Sequence, residues 1–388
     1  MPDECAWQRW IGIMDFSAIE DAFKEAVENG VFPGAVVLVG KGEETVFEGV
    51  YGQRSLLPEK SPMERDTIFD LASLTKPLAT TTAIMLLVKE RKVQLDDQVT
   101  RFVPNFGVFG KSQATFRHVL AHCSGLAAWK PYYEEVSKSE KNGGLKFVAS
   151  KAAQSFVFER IHRERPIAPP GTRIIYSDLG FMLLAEIIEQ ISGRSLDRFC
   201  QERIFQPLGL GSTFFVDLSQ MWGRRERPSQ KKFAATENCP WRRRIVCGEV
   251  DDENAYAVGG VAGHAGLFST AMDIHRYVAR LERSYEGKDD FLPQVIVQEF
   301  LTRDRTVQGS TYALGWDTPS SKDSTSGDLF SPSSVGHLGF TGVSLWWDLE
   351  RKCHIILLTN RIHPSRNNNK IRDFRPAIHD LILKTLFQ

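Results

Sequence analysis

The stretch FDLASLTKPLATTTAIMLLVKE, residues 69–90, places a serine, a lysine and a proline at the start of a long apolar segment. Its second half is apolar apart from three threonines and the closing charged pair, which predicts a central, enclosed helix. Pro77 is compatible with the first turn of such a helix because the N–H groups there have no intrahelical acceptor to lose. We therefore expect Ser73 and Lys76 to lie at the N-terminal end of a buried helix.

Ser73 and Lys76 form the pattern Ser-x-x-Lys, which suits nucleophilic catalysis. Residues three apart share one face of a helix, so the hydroxyl and the amine can meet. A serine hydroxyl attacks well only when a base takes its proton, and a desolvated lysine can be that base. The same pattern recurs at Ser229, and a serine that starts a helix is also a common N-cap. The pattern alone leaves catalysis and capping open.

The two ends of the chain carry matching helix and strand patterns. Residues 15–30 have apolar residues at helical spacing and end at a glycine, and residues 34–52 read as two strands around a Lys-Gly turn. Residues 342–361 give two more strands joined by a polar turn, and residues 371–388 give a closing helix. The two ends are therefore predicted to build one sheet together.

The middle of the chain is predicted to be mainly helical. Residues 178–193 repeat leucine and isoleucine along one helical face and end at a glycine. The fold class predicted is α/β (α+β), with an antiparallel β-sheet flanked by the terminal helices and a mostly helical insertion. The sheet domain takes residues 14–72 and 261–388, the helical domain takes residues 73–260, and the active site lies at their seam.

Composition and charge exclude several functional classes. The 388 residues are 42% hydrophobic and 25% charged, as in ordinary globular proteins. Lys plus Arg and Asp plus Glu are equal at 48 each, so there is no electrostatic case for a nucleic-acid or acidic-membrane partner. The six cysteines are scattered without close metal-ligand spacing, and no signal peptide or membrane-length apolar run is visible. These features predict a cytoplasmic protein without a membrane partner; the oligomeric state stays open.

Two further motifs carry chemical groups. In PPGTRIIYSDLGF, residues 169–181, Tyr176 and Asp178 stand where an extended segment meets a helix. A tyrosine acts as acid or base only if positive charge favours its phenolate, and Asp178 also suits a helix N-cap. In SVGHLGFTG, residues 334–342, His337 and Gly339 begin a glycine-rich strand where backbone can approach a substrate closely. A lone histidine is more often structural than catalytic.

The motifs SLTK, YSD and HLG, in this order, resemble those of the serine β-lactamase and penicillin-binding-protein-like hydrolases. That superfamily includes class C β-lactamases, D-alanyl-D-alanine peptidases, D-aminopeptidases and related esterases. The resemblance extends over residues 15–385 and implies a β-lactamase/transpeptidase-like fold. It implies Ser73 as the acylated nucleophile, Lys76 as proton acceptor and Tyr176 in the proton relay. The backbone N–H groups of Ser73 and Phe340 would form the oxyanion hole, with no metal or cofactor.

Three positions depart from the β-lactamase pattern. Family β-lactamases usually have Tyr-x-Asn and Lys-Thr-Gly, whose lysine and threonine hold the carboxylate of a β-lactam. Here a neutral His337, an apolar Leu338 and an anionic Asp178 stand instead. We therefore expect poor anchoring of anionic substrates and weak β-lactamase activity. Small esters or amides are the expected substrates, with a D-amino-acid peptidase or carboxypeptidase, or a true β-lactamase, as alternatives.

Asp178 also bears on which group accepts the proton of the serine. Paired with Lys76, its carboxylate would hold the amine protonated, which makes the phenolate of Tyr176 the better base. Coupled groups share their titration, so the sequence leaves both bases open.

The sequence supports other interpretations less well. His118 and His122 have a spacing that chelates zinc on a helix, but no glutamate follows His118 and we expect a structural role. His264 lies among glycines and is a candidate for the border of the cleft. The alternative of another class is a non-catalytic peptide-binding module on the same fold. The intact Ser73, Lys76 and Tyr176 argue against that module.

Overall fold

The computed structural model describes residues 14–143, 147–220 and 232–388, so the second Ser-x-x-Lys pattern, at Ser229, lies outside the described residues. The helices, in chain order, are α1 (Ser17–Glu28), α2 (Thr82–Lys89), α3 (Phe116–Leu120), α4 (Tyr132–Gly143), α5 (Lys151–His162), α6 (Asp178–Ser192), α7 (Leu196–Cys200), α8 (Glu253–Ala257), α9 (Ala271–Tyr285), α10 (Gln294–Leu301) and α11 (Ile371–Phe387). The strands are β1 (Gly34–Lys41), β2 (Glu44–Ser55), β3 (Ser61–Pro62), β4 (Phe69–Asp70), β5 (Phe214–Phe215), β6 (Asn238–Cys239), β7 (Arg244–Ile245), β8 (Leu267–Ser269), β9 (Val335–Leu338), β10 (Ser344–Asp348) and β11 (Cys353–Thr359).

The main sheet joins strands from both ends of the chain. Its six strands lie in the order β3-β2-β1-β11-β10-β9, and each neighbouring pair is antiparallel. The central contact pairs β1 with β11, with Val37 opposite Leu357. The predicted antiparallel sheet with terminal helices is therefore confirmed. The strand order places β9 at one edge of the sheet.

The strands β1 and β11 are buried on both faces, which explains their continuous apolar sequences. Alternate residues point to opposite faces of a strand. Ile355 and Leu357 pack with α1 and α11, whereas Ile356 and Leu358 belong to the larger core that includes α2, α6 and α9. The sheet thus separates a small core beneath the terminal helices from the large core on which the helical part of the chain packs.

The segment after Ser73 is helical and enclosed, as predicted, but its first turns are irregular. A 3₁₀ turn at Ala72–Leu74 leads into a π-helical segment, Lys76–Thr81, and then into α2. Residues 78–87 are buried throughout. Strand β4, directly before the turn, pairs with β8, so a second small sheet of β4, β8 and β5 fixes where the turn begins.

Among the described residues, no helix is both long and apolar enough to cross a lipid bilayer. The division of the chain into a sheet domain of residues 14–72 and 261–388 and a helical domain of residues 73–260 stays a prediction.

Candidate active site

Ser73 lies on a tight turn whose backbone is held in an unusual conformation. The preceding residue, Ala72, has φ = 45°, in the left-handed region that residues with a side chain seldom adopt. The Asp70 carboxylate accepts a hydrogen bond from the Ala72 N–H at 2.9 Å and one from the Asp251 N–H at 2.6 Å. These bonds fix the turn, so the Ser73 side chain is presented by a rigid backbone.

Lys76 is completely buried, and three oxygen atoms surround its ammonium group. Nζ lies 2.8 Å from Ser73 Oγ, 2.7 Å from Asp178 Oδ1 and 3.1 Å from the His264 carbonyl oxygen. The contacts with Ser73 and His264 are hydrogen bonds, and the contact with Asp178 is an ion pair that balances the buried charge. Ser73 Oγ accepts from Lys76, which leaves the proton of Ser73 free for another base.

The surroundings of Lys76 and Tyr176 change the pKa of both groups. Burial by itself lowers the pKa of Lys76, but the Asp178 carboxylate and Tyr176 outweigh it and hold that pKa above its ordinary value. Burial raises the pKa of the Tyr176 phenol, and Asp178 adds to this, whereas the Lys76 ammonium and the Ser73 hydroxyl lower it. Lys76 is therefore an ammonium at neutral pH, so the neighbouring group that can take the serine proton is Tyr176 in its phenolate form, which becomes more abundant as the pH rises.

The Tyr176 segment is positioned by hydrogen bonds to the loop after α3. Ser177 N–H donates to His122 Nδ1 at 3.0 Å, and Ser177 Oγ donates to the Ala127 carbonyl at 2.7 Å. The Tyr176 ring packs on the His122 ring at 4.5 Å between centroids, and Lys76 Nζ lies 4.8 Å from the Tyr176 ring centroid. The His122 ring and the bonds of Ser177 therefore hold the Tyr176 ring in place beside Lys76.

The prediction that Asp178 caps its helix is wrong. Ser177 is the N-cap of α6, and its hydroxyl accepts the Gly180 N–H at 3.2 Å. Asp178 is the first helical residue, and its carboxylate turns to Lys76 instead. Because the serine supplies the cap, the aspartate is free to bind the buried ammonium.

The end of β9 lies directly against the Ser73 turn. A Cβ atom at Gly339 would lie 2.6 Å from the Leu71 carbonyl oxygen, so only glycine fits there. Thr341 Oγ1 donates to the Asp70 carbonyl at 2.8 Å. The close approach expected at this glycine is therefore one to the protein's own backbone, and it brings Phe340 beside Ser73.

The backbone N–H groups of Ser73 and Phe340 donate no hydrogen bond to any residue in the described ranges. Two unpaired donors beside a serine hydroxyl can stabilise an oxyanion that forms when the hydroxyl attacks a carbonyl group.

His337 faces the site as a neutral side chain. It is buried, and its Nδ1 donates to the Leu338 carbonyl at 2.8 Å. Burial and the nearby Lys76 ammonium lower the pKa of His337 to about 3. With this pKa, His337 carries no charge at neutral pH.

Two cavities of opposite character meet at Ser73, and Tyr176 and Phe340 also line both. The first, here called the basic cavity, measures about 560 Å³. The second, the acidic cavity, measures about 390 Å³. Charged side chains line the basic cavity at Arg361, Arg372, Arg375, Asp317 and Asp323, and the acidic cavity at Asp178, Asp251, Asp252, Glu253 and Arg366. Substrate groups on the two sides of Ser73 therefore meet different charges.

His264 borders the acidic cavity, as the sequence suggested. Its Nε2 lies 3.0 Å from Asp252 Oδ1. Burial by itself raises the pKa of Asp252, but His264, the Ala255 N–H and Lys76 hold it at about 2. Asp252 is therefore an anion at neutral pH, and His264 contributes through its carbonyl, which accepts from Lys76, and through this pair.

His118 and His122 do not share one helix. His118 lies in α3, whereas His122 follows it with φ = 55°. His118 Nδ1 accepts the Thr115 N–H at 3.3 Å, and His122 Nδ1 is used by Ser177. Each histidine orders backbone, which is the structural role expected of them, although the helix predicted for both was wrong.

The sequence did not single out the residues that surround the predicted ones. Arg361 and Arg375 line the basic cavity, and Asp252 lines the acidic one. An arginine in a loop and one in a closing helix are common surface residues, so no local pattern marks them. Their burial becomes visible only when the C-terminal helix and the loop before it are packed beside β9.

Known proteins are similar to this chain over most of its length. The family model described as Beta-lactamase matches residues 19–377. A protein of Escherichia coli (strain K12) named "Putative D-alanyl-D-alanine carboxypeptidase" is 31% identical over 370 residues, covering 87% of this chain and 82% of its own length. A protein of the same name from Salmonella typhimurium is 32% identical over 367 residues, covering 88% and 81%.

Three solved structures of differently named proteins share the fold of this chain. EstCE1, described as a hydrolase with promiscuous acyltransferase activity, has a TM-score of 0.68 at 20% identity and covers 92% of this chain and 97% of its own. The octameric penicillin-binding protein homologue from Pyrococcus abyssi has a TM-score of 0.70 at 23% identity, covering 96% and 78%. Simvastatin synthase (LovD) from Aspergillus terreus has a TM-score of 0.69 at 18% identity, covering 96% and 98%.

Proposed function

Since the chain belongs to the beta-lactamase family, whose members are serine hydrolases, we propose that it hydrolyses small esters or amides through an acyl group on Ser73. The observation that carries this proposal is the contact of Ser73 Oγ with the buried Lys76 ammonium at 2.8 Å. A structural N-cap serine has no need of a buried lysine that is itself held by Asp178. A nucleophile does need such a group, because the charge beside it stabilises the anion that forms.

The reaction begins with attack of Ser73 Oγ on the carbonyl carbon of the substrate. The reactive form of the protein has Tyr176 as a phenolate, and the proton of Ser73 passes to that phenolate oxygen to give the neutral phenol, since Asp178 and Tyr176 keep Lys76 protonated. The N–H groups of Ser73 and Phe340 donate to the oxyanion. When the tetrahedral intermediate collapses, the bond to the leaving group breaks, and Tyr176 returns the proton to the leaving oxygen or nitrogen.

The acyl group then leaves by the reverse use of the same residues. Water attacks the ester carbon on Ser73 and gives its proton to Tyr176, and the proton goes to Ser73 Oγ when the acyl–serine bond breaks. The products are a carboxylic acid and the free serine. Lys76 remains an ammonium through both steps, and its charge favours the anionic form of Tyr176.

Neutral side chains beside the oxyanion hole support esters and simple amides over β-lactams. His337 carries no charge at neutral pH and Leu338 has no hydroxyl, so this strand offers no partner for a carboxylate fixed beside the scissile bond. A charge-assisted hydrogen bond is about twice as strong as a neutral one. Its absence supports weak β-lactamase activity.

A second candidate is a D-amino-acid peptidase or carboxypeptidase. The two bacterial relatives carry the name of a D-alanyl-D-alanine carboxypeptidase. The arginines of the basic cavity favour this candidate independently. The amino acid that a carboxypeptidase releases bears a free carboxylate, which an arginine can bind. The two candidates share Ser73 and differ in the group that occupies the basic cavity.

A substrate panel tests the proposed function. The rates of p-nitrophenyl acetate, an acylated D-alanyl-D-alanine peptide and a chromogenic cephalosporin are compared at equal enzyme concentration. We expect the ester to react fastest and the cephalosporin slowest, and we expect Ser73→Ala to lose at least about a thousandfold in each measurable rate. Ser284→Ala, which removes another buried serine hydroxyl that lines neither cavity, is the control.

The other outcomes of the panel are equally informative. A cephalosporin that outpaces the ester would overturn the role given to His337 and Leu338. A peptide that outpaces the ester would establish the second candidate. A wild-type protein inert towards all three substrates would favour the non-catalytic peptide-binding module.

A further inference from the structure

The wall of the acidic cavity has more carboxyl groups than cations. Asp178 pairs with Lys76 at 2.7 Å, and Glu253 pairs with Arg366 at 2.6 Å, so these charges balance. The other two carboxyl groups of the wall lie directly before α8. Neither forms an ion pair with a lysine or arginine of the described ranges. The cavity therefore keeps an excess of negative charge beside the nucleophile.

Asp252 offers one carboxylate oxygen to this cavity. Its Oδ1 accepts a hydrogen bond from the Ala255 N–H at 2.7 Å and lies 3.0 Å from His264 Nε2. Its Oδ2 accepts no hydrogen bond from a described residue, and 24% of the side chain is exposed. Because Asp252 is an anion at neutral pH, Oδ2 is a charged acceptor for a donor that enters the cavity.

Asp251 is a second carboxyl group of the wall without a cation. It is 2% exposed, and its Oδ1 is shielded from solvent and has no hydrogen-bond partner among the described residues. Burial and the neighbouring Asp70 raise its pKa to about 7, so a fraction of the molecules carries this anion at neutral pH. A buried carboxylate without a partner opposes folding, and a cation in the cavity would reduce that cost.

An exposed indole ring completes the wall. Trp129 is 43% exposed, and no lysine or arginine of the described ranges lies over its ring. Phe340 also lines the cavity, but Arg361 already lies 4.9 Å from its ring centroid. Tryptophan is the aromatic side chain that binds cations best. A calcium or magnesium ion would need oxygen ligands, which an indole does not supply. The wall is thus better suited to an organic cation than to a metal ion.

We propose that the acidic cavity binds an ammonium group of the substrate, with Asp252 as its ion partner and Trp129 as its aromatic contact, while Ser73 attacks a carbonyl group of the same molecule. This inference rests on the proposed function and narrows its substrate class to esters or amides that carry a positive charge. A primary ammonium group would donate to Asp252 Oδ2, whereas a trimethylammonium group would pack on the indole ring. The two groups share the same charge, and the test distinguishes them.

Charge also decides which of the two cavities such a group enters. Three arginines and two aspartates line the basic cavity, so a cation is not attracted there, whereas Asp252 attracts it in the acidic cavity. A substrate with a positive charge at one end is therefore bound in one orientation. Its cationic end lies in the acidic cavity, and its other end lies in the basic cavity.

The test compares esters that differ only in charge. p-Nitrophenyl 6-aminohexanoate is paired with p-nitrophenyl heptanoate, and p-nitrophenyl 6-(trimethylammonio)hexanoate is paired with p-nitrophenyl 7,7-dimethyloctanoate. Acetylcholine is paired with 3,3-dimethylbutyl acetate, which moves the charge from the acyl group to the leaving group. Each kcat/KM is divided by the rate constant of hydroxide-catalysed hydrolysis, which removes differences in intrinsic reactivity.

We expect wild type to prefer the cationic member of at least one pair by roughly 10–100-fold, the range of one charge-assisted hydrogen bond. The pair that shows the preference identifies the kind of ammonium group and the end of the substrate that carries it.

Asp252→Asn removes the charge and keeps the local contacts. The asparagine oxygen can still accept from the Ala255 N–H and from His264, and asparagine is as good an N-cap as aspartate. Its NH₂ group takes the place of Oδ2 and repels a cation. The preference, taken as a ratio within one protein, should fall by at least about fivefold.

Two further variants locate the preference. Trp129→Ala should lower the ratio for a trimethylammonium substrate more than the ratio for a primary ammonium substrate, because only the first depends mainly on the ring. Glu186→Gln is the matched control for Asp252→Asn, since Glu186 also binds a histidine, His162 at 2.8 Å, and lines neither cavity. Its ratios should equal those of wild type.

The outcomes separate this inference from the proposed function. Wild type that hydrolyses no ester of the set would remove the proposed function itself. Ser73-dependent hydrolysis of the neutral esters, without a preference for any cationic partner, would overturn the subsite alone. So would a preference that Asp252→Asn and Trp129→Ala both leave unchanged. If Asp252→Asn does not fold, Trp129→Ala decides the matter, since it changes an exposed side chain: a lower preference supports the subsite and an unchanged one overturns it.

Discussion

At the scale of the residue, the contacts around Lys76 explain how a serine becomes reactive in this chain. Asp178 raises the pKa of both Lys76 and Tyr176, the first as a direct ion partner and the second as a nearby anion. The carboxylate therefore keeps the lysine charged and makes the phenolate scarcer at neutral pH. Hydrolysis should rise with pH as Tyr176 loses its proton.

Replacing Asp178 by asparagine should move this pH dependence to lower pH. Without the anion, the pKa values of Lys76 and Tyr176 both fall, so the deprotonated form that accepts the serine proton is reached earlier. The alkaline-rising limb of kcat/KM against pH for p-nitrophenyl acetate should shift by about 1–3 pH units towards acid. The profile of each protein is measured from pH 5 to 10.

The control for this variant is Asp96→Asn, which removes an exposed carboxylate paired with Arg117. Its profile should coincide with that of wild type. A profile of Asp178→Asn that stays in place, or that moves towards alkaline pH, would show that Asp178 does not set the protonation of the pair.

The residue scale is also where the sequence was most informative. The ion pair of Asp178 with Lys76 follows from residue type and motif order, and the structure places it at 2.7 Å. The N-cap was missed, because Ser177 and Asp178 are both good caps and only the buried ammonium decides between them. The roles of Ser73, Lys76 and Tyr176 in catalysis stay a prediction.

At the scale of the element, the segment after β9 depends on a clamp from the loop before α11. Arg361 is 8% exposed and donates from Nε and a terminal nitrogen to the Phe340 carbonyl at 3.1 and 2.6 Å. A terminal nitrogen also donates to the Asn368 carbonyl at 2.6 Å. Because Phe340 supplies the proposed oxyanion donor, Arg361 is a positioning residue for that donor.

Replacing Arg361 by alanine should lower kcat more than it raises KM. The Phe340 peptide loses its anchor, and displacement of a transition-state donor by about 1 Å lowers the rate by roughly 10²-fold. Steady-state kinetics with p-nitrophenyl acetate measures both constants. Arg361→Lys should recover part of kcat, since an ammonium can bind one carbonyl but cannot reproduce the fork.

Lys111→Met is the matched control for a clamp that is only structural. Lys111 is buried and binds the carbonyl groups of Val108, His162 and Glu164, outside both cavities. Its loss should lower the melting temperature as the loss of Arg361 does, and it should leave kcat unchanged. If both variants change kcat equally, Arg361 stabilises the fold and does not position the oxyanion donor.

Elements were predicted from the sequence with uneven success. The terminal helices, the two central strand pairs and α6 follow from strong apolar periodicity, and each is present. The irregular 3₁₀ and π-helical turns before α2 leave no such signature, because the apolar segment there is continuous. Arg361 could not be recognised as a clamp, since the carbonyl groups that it binds are exposed to it only after β9 and the loop at residues 366–368 are folded.

At the scale of the whole molecule, the antiparallel sheet is what brings the three motifs together. Strand β11 lies between β1 and β10, and β9 is the edge strand beyond β10. The C-terminal motif is therefore carried to the turn that follows β4, and α6 places the middle motif on the same site. The order of the motifs and their family resemblance were available from the sequence, and the match to the Beta-lactamase family confirms the resemblance.

The charges of the two cavities were not available from the sequence. The chain has equal numbers of acidic and basic residues, so its net charge predicts no polarity at the site. The two cavities differ in charge because α11 lines the basic cavity with arginines, whereas residues 251–253 line the acidic cavity with carboxyl groups. Only the packing of distant segments creates this difference.

The most direct test of the account is the identity of the residue that becomes acylated. Wild type and Ser73→Ala are mixed with p-nitrophenyl acetate, quenched in acid within the first turnovers, digested and mapped by mass spectrometry. The account predicts one acetyl group on the wild-type peptide that contains Ser73, and none on the variant. An acetyl group on a different residue during rapid turnover, or undiminished hydrolysis by Ser73→Ala, would contradict it.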